Sequence, residues 1–152
     1  MNRYKKPFFK TLFWHQNKWH KHGVAVHTLK VMYHVAKMGR WDLVPAALFH
    51  DVAKPVTAYH DENDIKNGCV DYSFTNHEEL GYHIIKNWPN WIINEHNKNV
   101  IRYHYHIRGM NKARKRKNIN KLNRYKRGWA KLTDDFKKDL AVFLKADDLA
   151  KK

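Results

Sequence analysis

The sequence predicts an all-α fold, a single bundle of five to six helices. Apolar residues recur at helical spacing, as in Val24, Val31, Met32 and Val35, the pattern of a helix with one buried face. No stretch alternates apolar and polar residues long enough to read as a strand. Breaks at Gly39, Pro55 and Pro89, and cap signals at Thr75 and Thr133, divide the helical stretches.

A chain of 152 residues fits one domain spanning 1–152, and a chain of this size buries roughly 70% of its surface on folding. Residues 1–22 form a basic, aromatic leader, expected as a short helix packed by Phe8, Phe9, Leu12, Phe13 and Trp14. Val24 to Met38 reads as the first long helix, with Val24, Leu29, Val31, Met32 and Val35 inward. Trp41 to Val52 reads as the next. Pro45 lies in or near its first turn, where proline is tolerated, and Pro55 ends it. Residues 56–74 are polar and read as a loop or long excursion. Thr75 stands three before Glu78, a capping-box pattern, and opens a helix over "NHEELGYHIIKNW". "WIINEHNKNVIRYHYHI" reads as one further helix with Trp91, Ile92, Val100 and Ile101 in the core. Thr133 followed by Asp134 and Asp135 makes a good start for the last helix. Trp88 and Trp91 flank Pro89 and suit either the core or an apolar patch for a partner.

The formal net charge is +16. Such an excess speaks of polyanionic partners rather than of fold. It is uneven: no acidic residue precedes Asp42. In residues 112–127, "KARKRKNINKLNRYKR", nine of sixteen residues are Lys or Arg and none is acidic. This basic connector reads either as a solvated, mobile link or as a strip contacting nucleic-acid phosphates, with Tyr125 and Trp129 as stacking surfaces. The single cysteine, Cys69, excludes an intrachain disulfide and a multi-cysteine zinc site, and fits a reducing compartment. No stretch approaches the ~20 apolar residues of a membrane span, and the N-terminus lacks a signal-peptide core. The expectation is a cytoplasmic protein without membrane association. Abundant Lys, Asn, Ile and Tyr fit an AT-rich genome, as in a bacterial or phage-infected cell.

In "LFHDVAKPVT", an apolar helical run ends in adjacent His50 and Asp51, followed by Lys54 and Pro55. An imidazole and a carboxylate where a helix terminates can converge on one ion, and both suit first-row divalent metals. Two ligands do not complete a site, so partners must come from other helices.

"VAVHTLKVMYHVA", "AALFHDVAKPVT", "FTNHEELGYHI" and "LKADDLA", in this order, resemble the HD-domain metal-dependent phosphohydrolase superfamily. The resemblance covers roughly residues 20–150 and implies a helical bundle holding metal on His27, His50, Asp51 and Asp147. "HDVAKPVT" with the later "HEELG" looks most like the HD domain of CCA-adding tRNA nucleotidyltransferases; the chain is expected to be a free-standing HD domain. Some members hold a second metal with two further histidines, which His77 and His104 would match, His106 competing with His104. The alternative is a one-metal site with His77 and His104 merely near the phosphate. Asp148 competes with Asp147. His34 reads as a core residue or a neighbour of the ligands. His83 and His96 read as surface residues, and His15, His20 and His22 as lying outside the ligand set.

The implied cofactor is one or two divalent ions: manganese, iron, cobalt, nickel or zinc, with magnesium a further option. Asp51 and Lys54 are the implied catalytic residues, and Lys54 would meet a phosphate oxygen or steady Asp51; otherwise it is a surface lysine. Arg102 and Arg108 would offset phosphate charge at the mouth. Val52 and Ala53 follow the His-Asp pair, so the Glu-Asp of alarmone hydrolases is missing, as is the Gly-Tyr-Pro of cyclic-di-GMP phosphodiesterases. Three readings stay open: hydrolysis of a nucleotide as phosphatase or phosphodiesterase; removal of phosphate from RNA or DNA ends, the basic 112–127 segment and leader holding the nucleic acid; and a non-catalytic nucleic-acid-binding module. The oligomeric state is not readable.

Overall fold

A computed structural model of the chain describes residues 12–13, 16–17, 20, 22–60, 62–66 and 72–151. Most of the leader, with Phe8, Phe9, Trp14 and His15, lies outside the described residues, as does Cys69. The elements in order are α1 (Val24–Lys37), a 3-10 turn (Trp41–Leu43), α2 (Val44–Phe49), α3 (Lys54–Thr57), β1 (Ala58–Tyr59), α4 (Glu62–Lys66), β2 (Ser73–Phe74), α5 (His77–Ile85), α6 (Glu95–Tyr103), α7 (His106–Lys115), α8 (Ile119–Ala130) and α9 (Asp134–Leu149). Among the described residues six helices have nine residues or more. The fold is all-α apart from an antiparallel pair of two-residue strands, with Ala58 opposite Phe74 and Tyr59 opposite Ser73. That pair lies in the region expected to be loop.

α1 packs against α2 and α9, α2 also meets α6, and α5 lies along α6. Their shared core holds Val31, Val35, Leu43, Ile85, Ile101 and Phe143. The helices around this core present buried residues at helical spacing. Along α1 the stripe is Val24, His27, Thr28, Val31 and Val35. Leu29, expected inward, is 63% exposed; it falls off that stripe. Gly39 follows α1 with φ 75°, the left-handed conformation that glycine adopts without steric cost at a helix end.

The helix expected over Trp41–Val52 is shorter than its apolar run. α2 stops at Phe49, residues 50–53 turn, and Pro55 lies in the first turn of α3 rather than terminating α2. A proline is harmless there because a first-turn N–H has no intrahelical acceptor to lose. Tight turn bonds, Val52 N–H to Phe49 O at 3.1 Å and Lys54 N–H to Asp51 O at 2.9 Å, hold the break.

Three other boundaries differ from expectation. Thr75 does not cap α5; its hydroxyl bonds the Tyr59 hydroxyl, and the N-cap is Asn76 at φ 58° with no side-chain bond. The single helix expected over 91–107 begins at Glu95, where the Asn94 side chain accepts from Asn97 N–H, and breaks at His104–Tyr105. Trp91 therefore precedes the helix and is 84% exposed, while Trp88 packs edge-on against Phe49. The segment expected as a connector over 112–127 is helical: α7 and α8 form an antiparallel hairpin. Thr133 does cap α9, accepting from Phe136 N–H at 3.3 Å.

Candidate metal centre

The site grows from the same stripes that make the core. His27 takes an inward position on α1, His77 opens α5, His104 follows the buried Val100 and Ile101 of α6, and Asp147 follows Ala146 on α9. His50 and Asp51 come from the break after α2. Each is at most 5% exposed. Burying this many imidazoles and carboxylates costs stability unless they are paired or bind a metal.

Asp51 is central. Its Oδ2 lies 3.1 Å from His50 Nε2 and 3.7 Å from His27 Nε2, and its Oδ1 lies 3.6 Å from His77 Nε2. His27 Nε2 is also 2.8 Å from Asp147 Oδ1. The donor atoms of His27, His50 and Asp51 lie within 4.8 Å of one another, as do those of Asp51, His77 and His104. Asp51 belongs to both sets.

The outer ring nitrogens decide what the inner ones can do. Nδ1 of His50, His104 and His77 faces the carbonyls of Ala47 at 2.7 Å, Ile101 at 2.6 Å and Phe74 at 3.0 Å. A carbonyl only accepts, so each Nδ1 donates, and in the neutral ring each Nε2 carries a lone pair aimed inward. His27 Nε2, His50 Nε2 and Asp51 Oδ2 are fully buried with no aligned hydrogen bond, although Lys54 Nζ sits 2.7 Å from Asp51 Oδ2 as an ion pair. Buried lone pairs converging with more acceptors than the one Lys54 ammonium can serve are a condition a divalent cation satisfies. The mixed imidazole and carboxylate set fits first-row transition ions better than an all-oxygen calcium site.

The electrostatics agree with ligands in their metal-binding forms. Burial opposes charge on Asp51, but His50 and Lys54 outweigh it and hold its carboxyl well below the usual range. Burial likewise opposes charge on Asp147, and His27 and Arg108 outweigh it. Burial lowers His104 to about 3, with His77 and His50 adding to the effect. His77 is lowered chiefly by burial. His50 is the exception: burial works against its charge, but Asp51 beside it raises its pKa.

Lys54 is buried, which removes the surface reading. It donates to Gln16 Oε1 at 3.0 Å and pairs with Asp51. Arg108 reaches the site, bonding Asp147 Oδ2 and also Asp148 Oδ1 at 2.6 Å. Arg102 does not: it bonds Glu79 at 3.2 and 3.3 Å and lies over the Tyr82 ring. Asp148 is 56% exposed at its side chain, so Asp147 is the inward member of that pair. His106 turns away from the cluster to the Tyr103 and Tyr125 rings. His34 is half-buried beside exposed Tyr33, away from the core stripe of α1. His83 and His96 are exposed.

His20 corrects the sequence reading. Its ring lies 4.9 Å, centroid to centroid, from that of His27, and its donor atom falls within 4.8 Å of those of His27 and Asp147. Burial, with Lys54 and His27 nearby, lowers its pKa to about 2. Gln16, fully buried, was equally invisible: it accepts from Lys54 and, through its backbone carbonyl, from Tyr72 N–H at 2.9 Å. Nothing in the local sequence marks either residue, because Gln16 and His20 reach the site only through tertiary contacts.

Compared with known families, the chain matches the HD domain over residues 24–143. It belongs to that family, within a superfamily of metal-dependent phosphohydrolases whose HD domains bind divalent metals. Asp147 lies beyond the matched span, so its place at the site rests on the structure. No curated protein and no solved structure matches the chain.

Proposed function

We propose that the protein is a metal-dependent phosphohydrolase acting on a nucleotide. The observation that carries the reading is the position of Asp51 between two imidazole pairs, His27 with His50 and His77 with His104. His27, His50, Asp51 and Asp147 would hold one cation; Asp51, His77 and His104 would hold a second, with Asp51 shared. Bound divalent cations polarise a phosphoryl oxygen and lower the pKa of a coordinated water, supplying a hydroxide nucleophile near neutral pH.

The remaining roles fall to the chain's own groups. The carbonyl partners of His50, His77 and His104 fix their tautomers. Lys54 orients Asp51, and Gln16 restrains Lys54. Arg108 neutralises Asp147 and stands where negative charge on a bound phosphate could share its guanidinium. Manganese, iron, cobalt, nickel and zinc suit the donors, with magnesium a weaker fit. The likeness of "HDVAKPVT" and "HEELG" to the HD domain of CCA-adding enzymes supports a nucleotide or nucleic-acid phosphate as substrate.

A second reading, hydrolysis at an RNA or DNA end, is favoured by one observation: the exposed basic hairpin α7–α8 adjoins the site through Arg108. Metal-stripped protein, reloaded with manganese, is to be incubated with mono-, tri-, cyclic and dinucleotides and with short RNAs bearing 3′-phosphate or cyclic ends. Mass analysis should show loss of phosphate or phosphodiester cleavage that Asp51→Ala abolishes. Turnover on none of them, with metal bound, would overturn the hydrolase reading and leave a binding module.

A further inference from the structure

We propose that the α7–α8 hairpin is a nucleic-acid-binding arm that grips the phosphate backbone of an RNA or DNA strand beside the metal cluster. That the arm delivers an end to the cluster rests on the phosphohydrolase reading; that it binds a strand does not.

The hairpin is packed mainly on itself. Tyr125 and Ala113 are buried between its helices, and the Tyr125 ring lies edge-on to His106 at 5.0 Å. Gly109 gives the ring its space: a Cβ there would stand 2.4 Å from the Tyr125 ring. The hairpin joins the domain at one end, through Arg108, which holds Asp147 and Asp148, and through Trp129, which packs on the core.

Its outer surface carries a large excess of positive charge. Residues 106–131 contain eleven Lys or Arg and no acidic residue, and all nine basic residues of 112–127 are exposed. A merely solvated helix face mixes signs, as α9 does: Lys137 pairs with Asp134 at 3.0 Å, and Lys138 with Asp135 at 2.9 Å. On the hairpin, like charges three apart on one helix, such as Lys121 and Arg124 of α8, are neighbours and repel. Charge kept against its effect on folding points to an external polyanion.

The chemistry narrows the polyanion. Helices that lie on membranes need an apolar face, but the hairpin turns its apolar side chains inward and leaves Ile119, 69% exposed, as its main outward one. Tyr125 and Trp129, candidates for base stacking, are respectively buried and packed on the core. Contact is therefore through phosphates and independent of sequence. From Arg108 beside Asp147 to Lys115 the helix rises about 10 Å, so the strip starts at the metal cluster and runs outward.

The test is binding of the full chain to a labelled, mixed-sequence single-stranded oligonucleotide of about twenty nucleotides, across a salt series. Affinity should fall steeply and log-linearly with salt. The variant Lys115→Gln/Arg116→Gln/Lys121→Gln/Arg127→Gln should bind about tenfold or more weakly at ~0.1 M salt, its slope reduced by roughly 0.7 per lost contact. An unchanged melting temperature would show that the variant is folded. Asp51→Asn should bind like the wild type. Unchanged affinity and slope in the quadruple variant, a flat wild-type salt response, or binding to anionic vesicles in place of the oligonucleotide would overturn the arm and leave any nucleotide hydrolysis standing. Steep binding lost in the variant, with no substrate turned over, would support the arm and sink the hydrolase reading alone.

Discussion

Asp51→Asn keeps the side-chain volume and removes one charge, so its two effects can be worked out separately. In the metal-free protein the loss falls on Lys54, a residue 5% exposed whose ammonium pairs with Asp51 at 2.7 Å. Removing one member of a buried pair costs about 3–5 kcal/mol. The asparagine oxygen and Gln16 Oε1 still accept from Nζ, so the lower figure, about 3 kcal/mol, applies. For a chain of this size that is a drop of about 6–12 °C in Tm. The second effect concerns metal. At a manganese concentration a hundredfold above Kd, the wild type should gain about 2.7 kcal/mol. If losing the shared anionic ligand weakens binding about a hundredfold, the variant at the same concentration gains about 0.4 kcal/mol. Chemical denaturation with and without manganese reads both. Asp51→Asn/Lys54→Met removes the stranded ammonium, so it should recover most metal-free stability without restoring the metal response. A metal response retained in Asp51→Asn would refute the shared-ligand geometry, and a double variant no more stable than the single would refute the stranded ammonium.

Other outcomes follow from packing. Gly109→Ala adds a Cβ 2.4 Å from the buried Tyr125 ring. Overpacking costs about 1–3 kcal/mol and should exceed the roughly 1 kcal/mol of helix propensity gained, so Tm should fall; a rise would contradict the hairpin's close approach. Phe143→Ala should cost about 3–5 kcal/mol in denaturant unfolding. Because Phe143 packs edge-on against His50 at 5.6 Å, calorimetry should also show weaker manganese binding. Trp91→Ala should leave stability within about 0.5 kcal/mol, whereas Trp88→Ala, which loses the Phe49 contact, should cost about 3 kcal/mol or more.

The helices were legible where a buried stripe ran through them, as in α1 and the second half of α9, because periodicity records burial directly. Boundaries failed where local signals competed with packing. Pro55 reads as a stop, yet it starts α3; the apolar run before it continues past the point where the backbone turns. Thr75 matches a capping box, yet its hydroxyl is taken by Tyr59, a partner sixteen residues away. The basic 112–127 segment has no long apolar stripe because its helices bury few side chains, Ala113 and Tyr125 among them.

The candidate site divides the same way. By itself the sequence offered the ordered set His27, His50, Asp51, His77, His104 and Asp147 as what its resemblance to the HD superfamily implies, since the motifs that carry the resemblance are local. It also determined the uneven charge, which is a matter of composition. Only the tertiary structure decided that Lys54 is buried and bonded to Gln16, that Arg108 reaches Asp147 while Arg102 turns to Glu79, and that His20 stands beside His27. Those contacts join residues far apart in the chain, 38 positions for Gln16 and Lys54 and 39 for Arg108 and Asp147. Such pairings follow from how helices stack, and a local spacing carries no record of that.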